Sequence, residues 1–273
     1  MKITHKTVLT DIPGTRIVKI KVHAPRLAQK AQPGQFVVVM VEAQGERIPL
    51  TVVEAEKDLV TLIFQEAGLS TRLLGKLNEG DSLYAILGPL GHPTKIQNYG
   101  KVILVAGGVG IAEIYPVARQ LTEKGNEVIT IIGARSKNIL FLEEELKKVS
   151  KELYVTTDDG SYGRKGFTTD VLKELLQKSP YDLVYAVGPL PMMKRVAMVT
   201  KEFGTKTYVS LNTLMLDGTG MCGGCRVTVG GQVKFACIDG PEFDGHLVDW
   251  EEMAKRNKTY EEKEKHICTL YNV

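Results

Sequence analysis

Three of the four cysteines of this chain lie in one glycine-rich stretch, residues 216–240, with the sequence LDGTGMCGGCRVTVGGQVKFACIDG. Two residues separate Cys222 from Cys225, eleven separate Cys225 from Cys237, and four separate Asp217 from Cys222. With a cysteine in place of the aspartate, this would be the C-x4-C-x2-C…C spacing of a plant-type 2Fe-2S site. The stretch therefore predicts a 2Fe-2S cluster with one oxygen ligand, held by Asp217, Cys222, Cys225 and Cys237.

Two other interpretations of the cysteines stay open. Cys268 could be the fourth ligand, with Asp217 only a turn residue; we favour Asp217 because it holds the local spacing, whereas a charged helical segment precedes Cys268. A structural zinc usually takes two C-x2-C pairs, and the sequence has only one. We rank iron–sulfur above zinc, because the glycines let a loop fold tightly around a bulky cluster and aim amide groups at its sulfurs.

The composition describes a globular protein long enough for two domains. The 273 residues are 43% hydrophobic and 25% charged, with a net charge of +3. The sequence has no long basic patch of the kind that binds nucleic acid, and no apolar run approaches the ~20 residues that span a bilayer. The N-terminal residues lack a secretory signal pattern. Four cysteines, three of them clustered, are too few for a disulfide framework. We expect a cytoplasmic protein that binds neither nucleic acid nor membrane.

Residues 1–95 are predicted to form a small antiparallel β-barrel. Apolar and polar side chains alternate over residues 18–23, which is the period of a half-buried strand. The apolar runs 36–41 and 59–64 are rich in β-branched residues and are typical of strands buried on both faces. Only one short helix is predicted, at 70–77, and short strands spaced in this way favour a barrel.

Strands and helices alternate over residues 96–210, which predicts a doubly wound parallel sheet. The five predicted strands are separated by helical stretches that begin near 111, 140, 168 and 192. The cysteine stretch opens a third segment, 211–273, and the charged residues 248–266 predict a solvated helix near its end.

Glycine-bearing loops follow three of the strands in the predicted parallel sheet. Gly108 and Gly110 follow the first strand, Asp158 follows the third, and Gly188-Pro189 follows the fourth. Small residues at such positions let backbone N–H groups and a helix N-terminus approach phosphates, and the three loops share one edge of the sheet. This edge is predicted to bind a nucleotide, although glycines can serve packing alone and one of Asp158 and Asp159 can be a turn former.

Two short motifs in the barrel have both a structural and a functional interpretation. Arg47-Ile-Pro-Leu-Thr51 stands at the start of a strand, where an arginine is usually a surface charge. Gly68-Leu-Ser-Thr71 opens the short helix with hydroxyl groups that can cap it or bind a phosphate. The residues alone leave the choice open.

The chain resembles the ferredoxin-NADP reductase superfamily in the segments RIPLT, GLST, AGGVGIAEIYPVA, TTDDGSYGRKGFTTD, VGPLPMM and DGTGMCGGCRVTVGGQVKFACIDGPEFDGHLVDW. Within it, the chain is similar to the small subunits of NADH-dependent reduced ferredoxin:NADP oxidoreductases, of the sulfide dehydrogenase small-subunit type. The electron-transfer subunits of dihydroorotate dehydrogenase are close relatives. The resemblance covers nearly the whole chain and implies a barrel that holds FAD, an α/β domain that binds NAD(H), and a C-terminal 2Fe-2S cluster.

The resemblance also implies roles for individual residues. The flavin ring and ribityl-phosphate chain would be lined by Arg47, Pro49, Leu50 and Thr51. The flavin pyrophosphate would meet Gly68, Ser70 and Thr71. The nicotinamide nucleotide would be framed by Gly108, Gly110, Asp158, Gly188 and Pro189. Many superfamily members carry a cysteine where this chain has Val187, so a thiol beside the nicotinamide is not implied.

The function implied by the resemblance is hydride exchange between NAD(H) and FAD, with single electrons passing through the cluster to a larger flavin and iron–sulfur subunit that splits electron pairs. The dihydroorotate relatives are expected to use four cysteines, so Asp217 favours the ferredoxin:NADP enzyme over that alternative. A zinc-bearing, non-catalytic binding module is the alternative from a different class. Asp158 and Asp159 favour NAD over NADP, because either would repel a 2′-phosphate, whereas Arg135 and Arg164 could reverse the preference.

Overall fold

The structure is a computed structural model that describes residues 1–271. Its N-terminal part contains two antiparallel sheets, with strand orders β1-β2-β6-β5 and β4-β3-β7. The elements are β1 (Ile3–Ile12), β2 (Thr15–His23), α1 (Pro25–Ala28), β3 (Phe36–Met40), β4 (Ile48–Thr51), β5 (Glu54–Glu56), β6 (Leu59–Gln65), α2 (Leu69–Lys76) and β7 (Ala85–Leu90). The predicted antiparallel barrel is confirmed.

The barrel forms because its strands alternate as the sequence predicts. Ile20 and Val22 of β2 are fully buried, whereas Lys19 and Lys21, which alternate with them, are partly exposed. The runs that form β3 and β6 are buried almost throughout, since both lie inside the barrel wall and pack on two sides. These strands and α2 enclose a core of fifteen buried residues that includes Phe64 and Leu74.

The middle of the chain forms a seven-stranded sheet with the order β11-β10-β9-β8-β12-β13-β16. All its pairs are parallel except β13 with β16. The predicted doubly wound sheet is therefore confirmed. Its elements are β8 (Lys101–Gly107), α3 (Gly110–Glu123), β9 (Glu127–Ala134), α4 (Glu143–Val149), β10 (Glu152–Thr157), β11 (Arg164–Lys165), α5 (Thr168–Lys178), β12 (Leu183–Val187), α6 (Leu190–Glu202) and β13 (Thr207–Ser210).

The C-terminal part adds one hairpin, one strand and two helices. These are β14 (Arg226–Val229), β15 (Gln232–Phe235), β16 (Glu242–Asp244), α7 (Trp250–Asn257) and α8 (Glu261–Leu270). Strand β16 returns to the main sheet and pairs with β13, with Glu242 opposite Ser210. The boundaries predicted at residues 95 and 210 stay predictions.

Two predicted helices differ in the structure. The helix expected over 140–149 begins only at Glu143, because a 3-10 turn occupies Lys137–Ile139 and Leu142 has a left-handed φ of 57°. The helix expected over 248–266 is two helices, α7 and α8, which are separated by Lys258 to Tyr260. In the second case a run of charged residues conceals the break, because charge favours exposure without specifying continuity. No helix within residues 1–271 is long and apolar enough to cross a membrane.

One hydrophobic core joins all three parts of the chain. It contains Phe36 and Val38 from the barrel, Val105 and Val184 from the main sheet, and the Cys225–Cys237 region from the C-terminal segment. A second core, on the opposite face of the main sheet, packs β8, β9 and β12 against α3. Because buried apolar side chains pack at crystal-like density, the shared core fixes the cysteines relative to the barrel.

Candidate functional site

Two of the predicted cluster ligands lie side by side in the interior. Cys225 directly precedes β14 and Cys237 lies two residues after β15, so the eleven residues between them form the β14-β15 hairpin. Their Sγ atoms are 3.2 Å apart and both side chains are buried. A pair of thiols in this arrangement fits one iron of a 2Fe-2S cluster, in which each iron takes two protein ligands.

The thiol of Cys237 is protonated at neutral pH when no metal is bound. Burial, followed by the adjacent Cys225 thiol, raises the pKa of Cys237 to about 12. Because a thiolate is the form that binds metal, iron has to displace this proton. Burial then favours the neutralised metal–thiolate unit over a free thiolate.

The other two predicted ligands, Asp217 and Cys222, lie in a tight loop at the surface. The Asp217 carboxylate accepts the backbone N–H of Thr219 at 2.6 Å and that of Cys222 at 2.8 Å, and these bonds lower its pKa. The Gly224 N–H donates to Cys222 Sγ at 3.3 Å. Asp217 thus has the turn role that the sequence offered as an alternative, and its role as a ligand stays a prediction.

Within residues 1–271, no three His, Cys, Asp or Glu side chains are grouped closely enough to hold a single metal ion. A mononuclear zinc site needs four ligands around one ion, whereas a 2Fe-2S cluster divides four ligands between two irons. The buried cysteine pair and the separate surface loop therefore fit a 2Fe-2S cluster better than a mononuclear zinc site.

The cluster loop packs directly against the barrel. A Cβ added to Gly218, which has a φ of +78°, would come within 2.7 Å of Val38 Cγ2 and 3.2 Å of Leu90 Cδ1. Val38 is in β3, which pairs with β4 through Val38 and Pro49. The predicted cluster ligands are therefore one strand away from the motif that is predicted to line the flavin.

The two barrel motifs lie next to each other. Pro49, Leu50 and Thr51 are half-buried on β4, directly after Arg47, and Gly68 is the N-cap of α2. The Ser70 hydroxyl donates to the Glu46 carboxylate, which joins the start of β4 to the start of α2. Thr71 Oγ1 accepts the N–H groups of Ala67 and Gly68 at 2.9 and 3.0 Å, so Thr71 caps its own helix.

The loops after β8 and β12 also meet. Gly108 has a φ of +55° and open space where a Cβ would point, and α3 begins two residues later. A Cβ on Gly110 would lie 2.6 Å from the Val187 carbonyl oxygen, and one on Gly188 would lie 2.9 Å from that of Gly107. Pro189 is the N-cap of α6. Only glycine permits this close approach, which leaves a cradle where a phosphate can meet backbone N–H groups.

The third loop, after β10, separates the roles of its two aspartates. Asp159 accepts the backbone N–H and the hydroxyl of Ser161 at 2.9 and 2.7 Å, and these bonds lower its pKa. Asp159 is therefore the turn former, and the predicted role of Asp158 beside the nicotinamide nucleotide stays a prediction. Arg164 makes two bonds of 2.7 and 2.6 Å with Glu174, which occupy its guanidinium group.

Three buried polar groups near these motifs are not among the residues predicted from the sequence. Arg72 Nε is buried without a hydrogen-bond partner among the described residues, next to the predicted pyrophosphate site. Glu113 and Glu242 lie at the contacts between the barrel, the main sheet and the C-terminal strand. The Glu in AGGVGIAEIYPVA was a visible signal for Glu113, because a charged residue there interrupts an otherwise apolar and small-residue helix start.

Two protein families match the chain. The family described as the oxidoreductase NAD-binding domain matches residues 104–198, and the iron–sulfur cluster binding domain of dihydroorotate dehydrogenase B matches residues 212–249. These matches support the predicted NAD(H) and 2Fe-2S cofactors.

The chain also has close relatives of similar length. A homolog of the dihydroorotate dehydrogenase B (NAD(+)) electron transfer subunit from Thermotoga maritima is 50% identical over 89% of this chain and 87% of its own. A chain of the NADH-dependent reduced ferredoxin-NADP oxidoreductase structure is 43% identical, with a TM-score of 0.93 over 100% of this chain and 98% of that one.

The fold extends to more distant proteins. Ferredoxin-NADP+ reductase from Plasmodium falciparum has a TM-score of 0.62 over 74% of this chain at 13% identity. The barrel and parallel sheet therefore have the ferredoxin-NADP reductase fold. FAD, the third predicted cofactor, is supported by the similarity to the flavin-based NADH-dependent reduced ferredoxin-NADP oxidoreductase. The chain belongs to the family of dihydroorotate dehydrogenase B electron-transfer subunits and reduced ferredoxin-NADP oxidoreductase subunits within this fold.

Proposed function

We propose that this protein is the NAD(H)-linked electron-transfer subunit of a larger flavin and iron–sulfur complex, of the reduced ferredoxin:NADP oxidoreductase type. It exchanges hydride between NAD(H) and FAD and passes single electrons through its 2Fe-2S cluster to a larger subunit. The observation that carries the proposal is the similarity over the full length of both chains to a chain of the NADH-dependent reduced ferredoxin-NADP oxidoreductase. The aspartate at position 217, where the dihydroorotate relatives are expected to have cysteine, supports the same choice.

The residues have distinct tasks in this function. Arg47 and the β4 residues would hold FAD, Gly68 and Ser70 would approach its pyrophosphate, and Gly108, Gly110 and Gly188 would let the nicotinamide nucleotide approach the backbone. When bound, FAD accepts hydride and releases electrons singly, which is chemistry that no side chain supplies. The contact of Gly218 with Val38 keeps the cluster loop close to the flavin strand.

Anaerobic titration of the purified protein with NADH tests the proposal. We expect flavin bleaching followed by the electron paramagnetic resonance signal of a reduced 2Fe-2S cluster. A colourless, zinc-bearing protein, or a flavin that NADH reduces without any electron reaching the cluster, would contradict it. Co-purification with a larger subunit separates the two related activities: ferredoxin-linked NADP reduction supports the proposal, and NAD-linked dihydroorotate oxidation supports the dihydroorotate alternative.

Asp217→Cys tests the ligand assignment. We expect the variant to keep a 2Fe-2S cluster with a changed absorption spectrum and potential, because ligand identity sets both. Asp239→Asn is the matched control, since Asp239 also accepts a backbone N–H in this segment, from Phe235 at 2.6 Å, and is not a predicted ligand. If Asp217→Cys leaves spectrum and potential unchanged, Asp217 is a turn residue only.

A further inference from the structure

Glu113 brings a buried carboxyl group to the predicted flavin strand. It lies in the first turn of α3, and the Thr51 hydroxyl at the end of β4 donates to its Oε2 at 3.1 Å. Its other oxygen, Oε1, is buried and has no hydrogen-bond partner among the described residues. Burying a carboxyl oxygen without a hydrogen-bond partner is energetically unfavourable, which makes Glu113 unusual among the glutamates of the chain.

A second buried carboxyl group, that of Glu242, lies on the C-terminal strand β16. The Tyr185 hydroxyl of β12 donates to Glu242 Oε1 at 2.9 Å, and the Thr94 hydroxyl donates to the same oxygen. Tyr185 is fully buried, with 1% of its surface exposed. Thr94 precedes the main sheet, so Glu242 joins three separate parts of the chain.

The two carboxyl groups belong to one polar network. The hydroxyls of Ser210, Thr51 and Tyr185 face Glu113 and lower its pKa, but burial outweighs them and raises it overall. Burial also raises the pKa of Glu242 to about 7, and the negative charge of Glu113 contributes to this. A proton on one of two neighbouring buried carboxyl groups makes it easier for the other to ionise, so the two groups titrate as a coupled pair.

The network leads from the flavin strand to a cavity on the other side. A cavity of about 170 Å³ borders Glu242 and Tyr185 and is lined further by His92, Lys95 and Tyr99. Tyr208 also lines it, and Tyr99 has a raised pKa because of burial and the nearby Tyr208 and Glu242. These are the titratable groups that face Glu242 from the segments packed against it.

The proposed function creates a need for a proton path. Oxidation of NADH to NAD+ releases two electrons and one proton, and hydride transfer delivers all three together. A 2Fe-2S cluster takes the electrons one at a time and takes no proton. For each NADH oxidised, one proton therefore has to leave the flavin site as the two electrons go to the cluster, and the reverse direction takes one proton up.

We propose that Glu113 accepts this proton through the Thr51 hydroxyl, and that Tyr185 and Glu242 carry it on to the cavity lined by His92 and Lys95. Thr51 Oγ1 gives its proton to Glu113 Oε2 and regains one from the flavin side, so an O–H bond forms at Glu113 while the flavin site loses one proton. The proposal rests on the proposed function, because only the change from hydride to single electrons requires the path.

Glu113→Gln tests the proposal, because glutamine still accepts from Thr51 but cannot take up a proton. Stopped-flow measurements separate the two halves of the reaction. We expect reduction by NADH to stay within about twofold of the wild-type rate, and electron delivery through the cluster to an external one-electron acceptor to slow at least tenfold, with a larger solvent isotope effect. Glu123→Gln is the matched control, since Glu123 is on the same helix and exposed.

An infrared difference spectrum provides a readout that does not depend on turnover. Reduction of the wild-type protein should give a protonated-carboxyl band that shifts in D2O, and Glu113→Gln should lack it. If Glu113→Gln does not retain FAD, Tyr185→Phe replaces it, because it keeps Glu113 and removes only the hydroxyl between the carboxyls; electron delivery should again slow relative to NADH reduction.

The outcomes separate the two proposals. If wild-type protein is not reduced by NADH, or its cluster receives no electrons, the proposed function fails before any variant matters. If the wild type performs both half-reactions and the tested variant changes neither their ratio nor the carboxyl band, the proton path is wrong while the proposed function stands.

Discussion

Replacing Glu242 by glutamine should make the protein more stable above pH 7 and flatten its pH dependence. Burial, opposed in part by the Thr94 and Tyr185 hydroxyls, raises the pKa of Glu242 from its ordinary 4.5 to about 7. The folded protein then holds a proton that the unfolded chain releases between these values, so the free energy of unfolding falls as the pH rises through this window. Below pH 4.5 the contribution is complete, and above pH 7 it is lost.

The size of the effect follows from the shift. Each pKa unit corresponds to about 1.36 kcal/mol, so the difference between 4.5 and about 7 corresponds to at most about 3 kcal/mol. Glutamine keeps an Oε1 acceptor for the hydroxyls of Thr94 and Tyr185 and cannot ionise. The difference in stability between Glu242→Gln and wild type should therefore grow from near zero at pH 4.5 to a stabilisation of about 1 to 3 kcal/mol at pH 8.

Urea unfolding of both proteins with their cofactors bound, followed by the fluorescence of Trp250, measures this difference from pH 4.5 to 8.5. Cofactor binding contributes similarly to both proteins and cancels in the comparison. Glu123→Gln, at an exposed position, should follow the wild-type curve within about 0.5 kcal/mol. Parallel curves for Glu242→Gln and wild type over the whole range would refute the reasoning, because they would mean that Glu242 titrates alike in the folded and unfolded states.

Three further predictions concern the nucleotide and cluster sites. Gly110→Ala should weaken NADH binding at least tenfold in a fluorescence titration, because its Cβ would lie 2.6 Å from the Val187 carbonyl oxygen. The control Gly14→Ala, at a position with open space around it, should not change NADH affinity. Glu174→Ala should lower the preference for NADH over NADPH several-fold in diaphorase assays, because it releases Arg164 from two hydrogen bonds; an unchanged preference would mean that Arg164 does not reach the ribose. Cys268→Ser should leave the cluster spectrum unchanged, since Cys268 lies on α8 rather than in the cysteine stretch; loss of the cluster would instead make Cys268 a ligand.

Local sequence patterns predicted the parts of the fold that depend on local chemistry. The alternation in β2 and the apolar runs of β3 and β6 report burial directly, so the barrel could be predicted. The glycines at 108, 110 and 188 signal close backbone approach, and the structure has the contacts that require them. The break before α8 could not be predicted, because nothing in the sequence of charged residues opposes helix continuation there as glycine or proline would.

The residues that were missed are those whose environment is created by distant parts of the chain. Glu113 and Glu242 are 129 positions apart in sequence, and only contacts between distant segments bring both into the same buried region. Arg72 likewise follows a predicted motif by one residue, but only the packing of α2 buries its Nε without a partner. Periodicity reports which face of an element is buried, but it does not report which polar groups meet there.

The shared core explains why the cluster site and the barrel have to be considered together. Cys225 and Cys237 are core residues in the same cluster as Phe36 and Val38, and Gly218 rests on Val38 itself. A linker that merely tethered the cysteine stretch would let the distance from flavin to cluster vary, whereas a close-packed contact through β3 fixes it. Strand β16 adds a second attachment, since it pairs with β13 and carries Glu242 back to Tyr185 and Thr94. The C-terminal segment thus carries both the predicted cluster ligands and Glu242, which is one end of the proposed proton path. Electron transfer and proton transfer therefore depend on the same packing of this segment.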